Sequence, residues 1–377
     1  MSNSYCPLPF RHAFVDSTGV SACCMTPRYN VPLQDWPDHP ELKKLQNQLL
    51  AGHYPKTCKA CHDQEASMGQ SLRLNSLNDY DDQLFRTTEI DFVDYRASNV
   101  CNFKCRSCEP NYSHGIAQEA RKHRGLNRFY PVLTAKTVWV TDQNQQWIVN
   151  NMSQLKRLMF TGGEPTMMPG VREIITEAVT NYPDIAVLIT SNGSFTDSFW
   201  QEITQRSANI HWTLSLDSVG SAAEIVRHGT DWPVVEHNAR WLAQHSPSLD
   251  INTVVTRLNL FQLGPLLKFV RELQTLSIAP SGLHGDQGCR HQFHVASRPY
   301  MLGADNWPPE LVDSAKKYLE QCLTQDLHAD QENMLEGVLE QINTLEFDPV
   351  AWQRGLEFNQ QLDSVRGEDH TRLYTQI

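Results

Sequence analysis

The stretch R-A-S-N-V-C-N-F-K-C-R-S-C-E-P, residues 96–110, decides how this chain is interpreted. It carries three cysteines, Cys101, Cys105 and Cys108, at the spacing C-x3-C-x2-C, directly after the apolar run Ile90–Arg96. That run predicts a strand, so the three thiols fall on the loop after its carboxyl end. Thiolates are the usual protein ligands of iron–sulfur clusters. Three thiolates on a four-iron cluster leave one iron open, which is what a catalytic metal requires.

Around this loop, β-rich apolar runs alternate with longer amphipathic stretches. The alternation predicts a parallel sheet with right-handed crossovers. Five or six such units favour an α/β fold, a partial (β/α)6 TIM-like barrel with its site at the carboxyl ends of the strands. The predicted strands are Ile90–Arg96, Lys156–Phe160, Ile185–Thr190, Ile210–Leu216 and Asp250–Thr256, with a sixth between Leu276 and Val295. The predicted helices are Val171–Asn181, Asp197–Gln205, Val234–His245 and Phe261–Leu273.

The second strand ends in a glycine pair followed by an acid and a proline. The segment L-M-F-T-G-G-E-P, residues 158–165, contains Gly162, Gly163, Glu164 and Pro165. Paired glycines let a backbone approach a ligand closely. Backbone groups and one carboxylate at this turn can receive an ammonium group.

Two later strands also end in polar residues. L-I-T-S-N-G, residues 188–193, offers Ser191 and Asn192 for hydrogen bonds to hydroxyl groups, although Ser-Asn-Gly is also ordinary turn chemistry. In W-T-L-S-L-D-S-V-G, residues 212–220, Ser215 and Asp217 point the same way because side chains alternate along a strand. Arg227 follows, either as a ligand-binding guanidinium or as the surface ion-pair partner of a nearby acid, Glu224 or Asp231.

Cysteine usage and charge narrow the class of protein. The chain has 377 residues, a formal net charge of -11 and ten cysteines, eight of them within the first 108 residues. The acidic balance argues against a nucleic-acid partner. The sequence contains neither an 18-residue apolar run nor a signal-like start, so we expect a cytoplasmic protein without a membrane span. In a reducing compartment, clustered cysteines indicate metal binding or catalysis.

Together, the cysteine loop and the Gly-Gly-Glu-Pro turn about 54 residues after it resemble the radical S-adenosylmethionine (radical SAM) superfamily. The resemblance implies a 4Fe-4S cluster whose open iron chelates S-adenosylmethionine. One electron then cleaves the cofactor to a 5′-deoxyadenosyl radical, which abstracts hydrogen from the substrate in an oxidoreductase or other radical-based modification. The family often has an aromatic residue before the third cysteine. Ser107 stands there in this chain, and Phe103 is expected to cover the cluster instead.

The resemblance also implies cofactor contacts after the other strands. The turn Gly162–Pro165 would bind the methionine amino group, and Ser191 or Asn192 the ribose. Ser215, Asp217 and Arg227 would contact cofactor or substrate, since a guanidinium suits a carboxylate. On the fifth predicted strand, Val255, or its neighbour Val254, would pack on adenine.

The N-terminal segment is rich in loops and cysteines. One short helix, Glu41–Leu50, is predicted, and Gly52 and Pro55 end it. A segment with so few apolar residues needs a staple, which a metal cluster can supply. Its cysteines are Cys6, Cys23, Cys24, Cys58 and Cys61.

This segment resembles the twitch module, a shortened SPASM domain that carries an auxiliary 4Fe-4S cluster. The implied ligands are Cys6, Cys23, Cys58 and Cys61, with Cys24 as the alternative to Cys23 because adjacent strand residues face opposite ways. Four thiolates leave no iron open, which favours electron transfer or structural support.

Zinc is the alternative at both cysteine sites. Cys58-x2-Cys61 has the spacing of half a zinc ribbon. The loop cysteines, with Cys61 or His114, match a tetrahedral zinc set. The chain would then be a non-catalytic zinc-binding interaction protein.

These readings divide the chain into three parts. Residues 1–86 are predicted as the auxiliary-cluster module, 87–298 as the radical SAM barrel and 299–377 as a mostly helical extension. The extension contains the predicted helices Glu310–Leu323 and Asp330–Leu345, followed by a polar, unassigned tail. The resemblance implies an electron donor such as flavodoxin or ferredoxin. It favours a peptide or protein substrate, with a sugar or nucleotide as the alternative.

Overall fold

The mostly parallel strands and the many helices of the chain form an α/β fold, as the sequence predicts. The computed structural model describes residues 4–68, 71–79, 89–130, 137–278, 289–296, 302–303, 307–325, 327–343 and 347–374. The chain divides into unit one, residues 1–98 and 138–189, and unit two, residues 99–137 and 190–377. The predicted boundaries at residues 86 and 298 fall outside the described residues, so the three-part division stays a prediction.

Unit one contains strands in the order β2-β1-β3-β4-β5, and the last two residues of β5 belong to unit two. They are β1 (His12–Asp16), β2 (Gly19–Ser21), β3 (Phe92–Tyr95), β4 (Arg157–Phe160) and β5 (Ala186–Ser191). Val93 pairs in parallel with Ala13 on one side and Leu158 on the other. Among the described strands of this unit, β1 and β2 pair antiparallel.

The prediction of a loop-rich N-terminal segment with one short helix was incomplete. The segment also contains β1, β2 and the helices Leu8–Arg11, Lys59–Met68 and Leu72–Asp79. The run His12–Val15 is apolar enough to be buried in the sheet, and Asp16 caps the following turn by accepting hydrogen bonds from Thr18 at 2.7 and 2.5 Å. The run His12–Val15 and the turn after Asp16 therefore form strand β1, which pairs with β3.

Unit two contains the parallel strands β6 (Ile210–Ser215), β7 (Ser248–Val255) and β8 (Arg290–Val295). The prediction of a sixth strand before Val295 is confirmed as β8. Burial alternates along β6: Ile210, Trp212 and Leu214 are buried, whereas Ser215 lies on the half-buried face.

Each predicted helix is present within a few residues of its expected bounds, and further helices lie between them. In unit one they are α1 (Leu8–Arg11), α2 (Pro40–Leu50), α3 (Lys59–Met68), α4 (Leu72–Asp79), α7 (Asp142–Asn150) and α8 (Pro169–Asn181). In unit two they are α5 (His114–Lys122), α6 (Arg124–Asn127), α9 (Phe199–Arg206), α10 (Gly220–Val226), α11 (Trp232–His245), α12 (Leu263–Leu276), α13 (Pro309–Leu323), α14 (Ala329–Asn343) and α15 (Pro349–Arg366). None of these described helices is both long enough and apolar enough to cross a membrane.

Helix α15 lies in the tail that the sequence analysis left unassigned. Its buried residues include Ala351, Phe358 and Leu362, which follow helical spacing. Phe358 packs edge-on against Phe129, with ring centroids 5.3 Å apart. The apolar stripe was present in the sequence, but the polar residues between its members concealed it.

Candidate active site

The three-cysteine loop of unit two is held by the segment that follows helix α10. The backbone N–H groups of Lys104 and Arg106 donate to the carbonyls of His228 and Val226 at 2.8 and 2.9 Å. This ladder runs through the middle of the cysteine motif. The loop therefore has a defined backbone at the point where its thiols project.

Gly229 makes that close approach possible. Its φ is +105°, and a Cβ there would lie 2.9 Å from the carbonyl oxygen of Asn102 and 3.3 Å from the Cα of Phe103. Only glycine fits such a position without strain. The Phe103 side chain is buried, and its carbonyl accepts a hydrogen bond from Ser113 Oγ at 3.0 Å.

The three cysteines of the loop differ in burial, and the charges of two of them act on the third. Cys105 is buried, and Cys101 and Cys108 are half-buried. Burial raises the pKa of the Cys105 and Cys108 thiols, and the charges of Cys105 and Cys101 raise the pKa of Cys108 further. Such thiols ionise when a metal supplies positive charge. An all-thiolate donor set suits iron–sulfur clusters or zinc.

A buried ion pair stands beside this loop. Arg227 Nη1 donates to Asp217 Oδ2 at 3.0 Å, so its ion-pair partner is Asp217 rather than Glu224 or Asp231. Burial opposes the charge on Arg227, but the neighbouring Cys105 and Asp217 outweigh it and raise its pKa. The structure thus brings two predicted site residues together next to the cysteines and keeps a fixed positive charge there.

Asn192 also contacts the cysteine loop. Its Nδ2 donates to Asn102 Oδ1 at 2.9 Å, and Asn102 Nδ2 donates to Ser194 Oγ at 2.8 Å. Ser194 Oγ in turn donates to Asn192 Oδ1 at 2.6 Å. Sequence reasoning missed Asn102 and Ser194. The only signal was a polar residue inside the cysteine motif and another after Ser-Asn-Gly.

The other predicted residues of unit two lie at strand ends. Ser191 is buried, and its Oγ accepts a hydrogen bond from Gly193 N at 3.0 Å. Ser215 is half-buried. Val255 is fully buried, whereas Val254 is half-buried and donates its N–H to Asp217 Oδ1 at 2.9 Å. The adenine contact of Val255 stays a prediction.

The Gly-Gly-Glu-Pro turn belongs to unit one and packs against the end of β3. Gly162 has a φ of +110°, and a Cβ there would lie 3.0 Å from the carbonyl oxygen of Ser98. Gly163 N donates to the same carbonyl at 3.1 Å. Glu164 is buried, and its Oε1 accepts from Thr166 N at 3.1 Å and from Thr166 Oγ1 at 2.7 Å. The carboxylate thus caps a one-turn 3-10 helix, which begins at Pro165.

Four N-terminal cysteines of unit one line a single cavity. Cys6 precedes α1, Cys23 follows β2, Cys58 ends a 3-10 turn, and Cys61 lies in the first turn of α3. Burial raises the pKa of Cys6, Cys23 and Cys58. Three stretches of chain, one of which supplies both Cys58 and Cys61, therefore converge on one cavity.

Cys24 is not among the residues that line this cavity, although its neighbours Cys23 and Met25 are. Burial, followed by the charges of Cys23 and Asp94, raises its pKa to about 11. Its carbonyl accepts a hydrogen bond from Arg28 Nη1 at 2.9 Å. Between the two adjacent cysteines, the cavity is lined by Cys23.

An arginine–glutamate pair braces the same cavity. Arg73 donates to the carbonyl of Tyr5 at 2.9 Å and to Glu65 at 2.8 and 2.5 Å. These bonds join α3, α4 and the segment before Cys6. The sequence analysis did not identify this pair. Among the described residues, no three His, Cys, Asp or Glu side chains converge as the ligands of a single ion would.

Comparison with known proteins gives limited likenesses. No family model matches the chain. An S-adenosylmethionine-dependent nucleotide dehydratase of Flammeovirga pacifica is 25% identical over 175 residues, which are 45% of this chain and 54% of that protein. The chain thus matches about half the length of that curated relative.

Two solved structures match over more of the chain. anSMEcpe with bound AdoMet is 17% identical, with a TM-score of 0.39 over 61% of this chain and 58% of that one. Streptococcus suis SuiB bound to the precursor peptide SuiA is 14% identical, with a TM-score of 0.43 over 90% of this chain and 68% of that one.

Proposed function

We propose that this chain is a radical SAM enzyme whose 4Fe-4S cluster is bound by Cys101, Cys105 and Cys108. The observation that carries the proposal is the geometry of their loop. The charges of Cys105 and Cys101 raise the pKa of Cys108, and Arg227 supplies a positive charge beside the loop. The sequence likeness to an S-adenosylmethionine-dependent enzyme supports the same cofactor.

When bound, the cluster and S-adenosylmethionine supply a 5′-deoxyadenosyl radical that abstracts hydrogen from the substrate. The chain's own residues bind and orient. Arg227 offsets thiolate charge and is suited to the methionine carboxylate. The buried ring of Phe103 keeps water from the inner side of the loop.

The sequence resemblance implies the remaining cofactor contacts, which we include in the proposal. We assign the methionine amino group to the turn Gly162–Pro165 and the ribose to Ser191 or Asn192. The hydrogen bonds of Asn192 to the cysteine loop give it a positioning role as well. Ser215 and Val255 complete the set that the sequence resemblance implies.

We further propose that Cys6, Cys23, Cys58 and Cys61 bind an auxiliary 4Fe-4S cluster. Their shared cavity supports this set over one that includes Cys24. Four thiolates would leave no iron for a substrate, so the cluster would transfer electrons or stabilise the fold. A flavodoxin or ferredoxin is the corresponding electron donor.

The substrate that we propose is a peptide or protein, as the twitch resemblance implies. A nucleotide is the second candidate, because the curated relative is named a nucleotide dehydratase. The two differ in which added compound raises 5′-deoxyadenosine formation above the substrate-free rate.

Anaerobic reduction with dithionite and S-adenosylmethionine tests the proposed activity. We expect a brown protein that forms 5′-deoxyadenosine, and a Cys108→Ser variant that does not. Addition of nucleoside triphosphates or of peptide mixtures then separates the substrate candidates. A colourless protein that contains zinc and leaves S-adenosylmethionine intact would show the zinc-binding alternative to be correct.

A further inference from the structure

Arg106, between the second and third cysteines of the loop, reaches the C-terminal end of the chain. Its side chain is fully buried. Nη1 donates to Asn359 Oδ1 at 3.0 Å, and Nη2 donates to Asp363 at 2.5 Å and to Glu368 at 2.6 Å. Nε donates to the carbonyl of Ile225 at 3.1 Å. Three of its four partners thus come from helix α15 and the residues just after it.

A second ion-pair chain joins the loop to the same helix. Lys104 Nζ donates to Glu119 Oε1 at 2.7 Å, and Arg366 Nη2 donates to Glu119 Oε2 at 2.7 Å. The side chains of Glu119 and Arg366 are almost fully buried. Glu119 therefore connects the cysteine loop to the last turn of α15.

The two carboxylates that hold Arg106 are themselves fixed. His370 Nδ1 lies 2.6 Å from Asp363 Oδ2, and His228 contacts Glu368 through its Nδ1. His228 also supplies the carbonyl that pairs with the backbone of Lys104. The network therefore holds the loop through hydrogen bonds to both its backbone and its side chains.

The physical consequence follows from the buried guanidinium. A charge removed from water must be paired, and arginine presents a rigid fork of five donors. Arg106 meets this requirement only when the loop and α15 are both in place. The position of Arg106 then fixes the direction in which Cys105 and Cys108 project on either side of it.

We propose that α15 and the segment to Glu368 form a clamp that holds the three-cysteine loop in its cluster-binding shape. Asp363 and Glu368 are positioning residues that act through Arg106. The benefit to the cluster rests on the proposed function. The clamp itself belongs to the polypeptide, so it can be measured without any cluster.

Hydrogen–deuterium exchange on the metal-free full chain tests the clamp. In Asp363→Asn/Glu368→Gln, the amides of Lys104 and Arg106 should exchange about tenfold to a hundredfold faster than in the unmodified chain, because charge-assisted hydrogen bonds are lost. Glu357→Gln is the matched control. It lies on the same helix but pairs at 2.9 Å with the exposed Arg128. Its loop amides should exchange at the original rate.

A second measurement uses the reconstituted protein. The double variant should lose iron to a chelator several-fold faster, and its loop cluster should show an altered midpoint potential. The conservative variant Asp363→Glu should keep most of the original iron-release rate and midpoint potential. Arg106→Lys should keep neither, because an ammonium group lacks the forked donors of a guanidinium. If the double variant does not fold, the single variant Glu368→Gln provides the same comparison with Asp363 retained.

The outcomes separate the two proposals. Unchanged amide exchange in a folded variant overturns the clamp, even if the enzyme makes 5′-deoxyadenosine. Faster exchange in a chain that never binds a cluster upholds the clamp and overturns the proposed function.

Discussion

The two cysteine sites of this chain are built in opposite ways. In unit one, four cysteines from three stretches of chain between residues 6 and 61 line one cavity, so the fold itself assembles the site. In unit two, three cysteines lie on one loop, and hydrogen bonds from distant residues hold that loop. The cavity site therefore depends on how its segments pack together, whereas the loop site depends on the hydrogen bonds that hold the loop.

The two cysteine sites have one electrostatic feature in common. Each has an arginine–carboxylate pair beside it, Arg73 with Glu65 in unit one and Arg227 with Asp217 in unit two. The carboxylate of the pair in unit two is the more buried, since the Asp217 side chain is 1% exposed and that of Glu65 14%. Electrostatic effects are stronger where water is excluded. We therefore expect charge changes to affect the loop site more than the cavity site.

The largest expected effect separates the two sites by chemistry. Cys105→Ser should abolish 5′-deoxyadenosine formation, because the loop cluster loses one of its three thiolates. The cavity cluster should remain, so iron per chain should fall by about half in an iron assay. Loss of all iron would mean that the two sites do not load independently.

Variants of the adjacent residues Cys23 and Cys24 test which of them is the fourth ligand of the cavity site. Cys23→Ala should remove the auxiliary cluster and its iron, because Cys23 lines the cavity. Cys24→Ala is the matched control and should keep the iron of both clusters. The reverse pattern would contradict the assignment of the fourth ligand.

A glycine tests how tightly the loop is held. Gly229→Ala places a methyl group against Asn102 at a positive φ, and should lower the free energy of unfolding by about 2 kcal/mol in urea titrations. Gly337→Ala provides the control, since a Cβ there meets nothing within 4 Å. In the interior of α14 it should raise stability by about 1 kcal/mol. Equal effects would show that the loop tolerates a wider approach.

The last expected effect is a dependence of the free energy of unfolding on pH. Burial opposes the charge of Glu119, but hydrogen bonds and charges from Arg366 and Lys104 outweigh it and lower its pKa. A lowered pKa stabilises the fold above the pKa of the unfolded state, and that contribution disappears as pH falls through the folded-state value. Glu119→Gln should therefore be less stable by about 2 kcal/mol at pH 7. The difference should shrink below about pH 4 in denaturant titrations. A difference that stays constant with pH would contradict the lowered pKa.

The features that could be predicted from the sequence are those formed by residues close together in the chain. The C-x3-C-x2-C loop, the Gly162–Pro165 turn and most strands have local signatures, because strand and turn chemistry is encoded by neighbouring residues. The clamp could not be predicted in this way. Arg106 and Asp363 are separated by 257 positions, and nothing in a single sequence indicates that they meet.

The choice between Cys23 and Cys24 shows a second limit. Strand alternation indicates that only one of two adjacent side chains faces a given site. It does not indicate which one, because that depends on how β2 and the chain after it lie against α3 and α4. The folded structure is needed to see that Cys23 lines the cavity.

Electron paramagnetic resonance of the reduced protein, with and without S-adenosylmethionine, tests the central claim most directly. An open iron on the loop cluster predicts that one component of the signal shifts when the cofactor binds. That component should be absent in Cys105→Ser, and the cavity component should be unaffected. A spectrum that does not respond to S-adenosylmethionine in a protein loaded with both clusters would contradict the account.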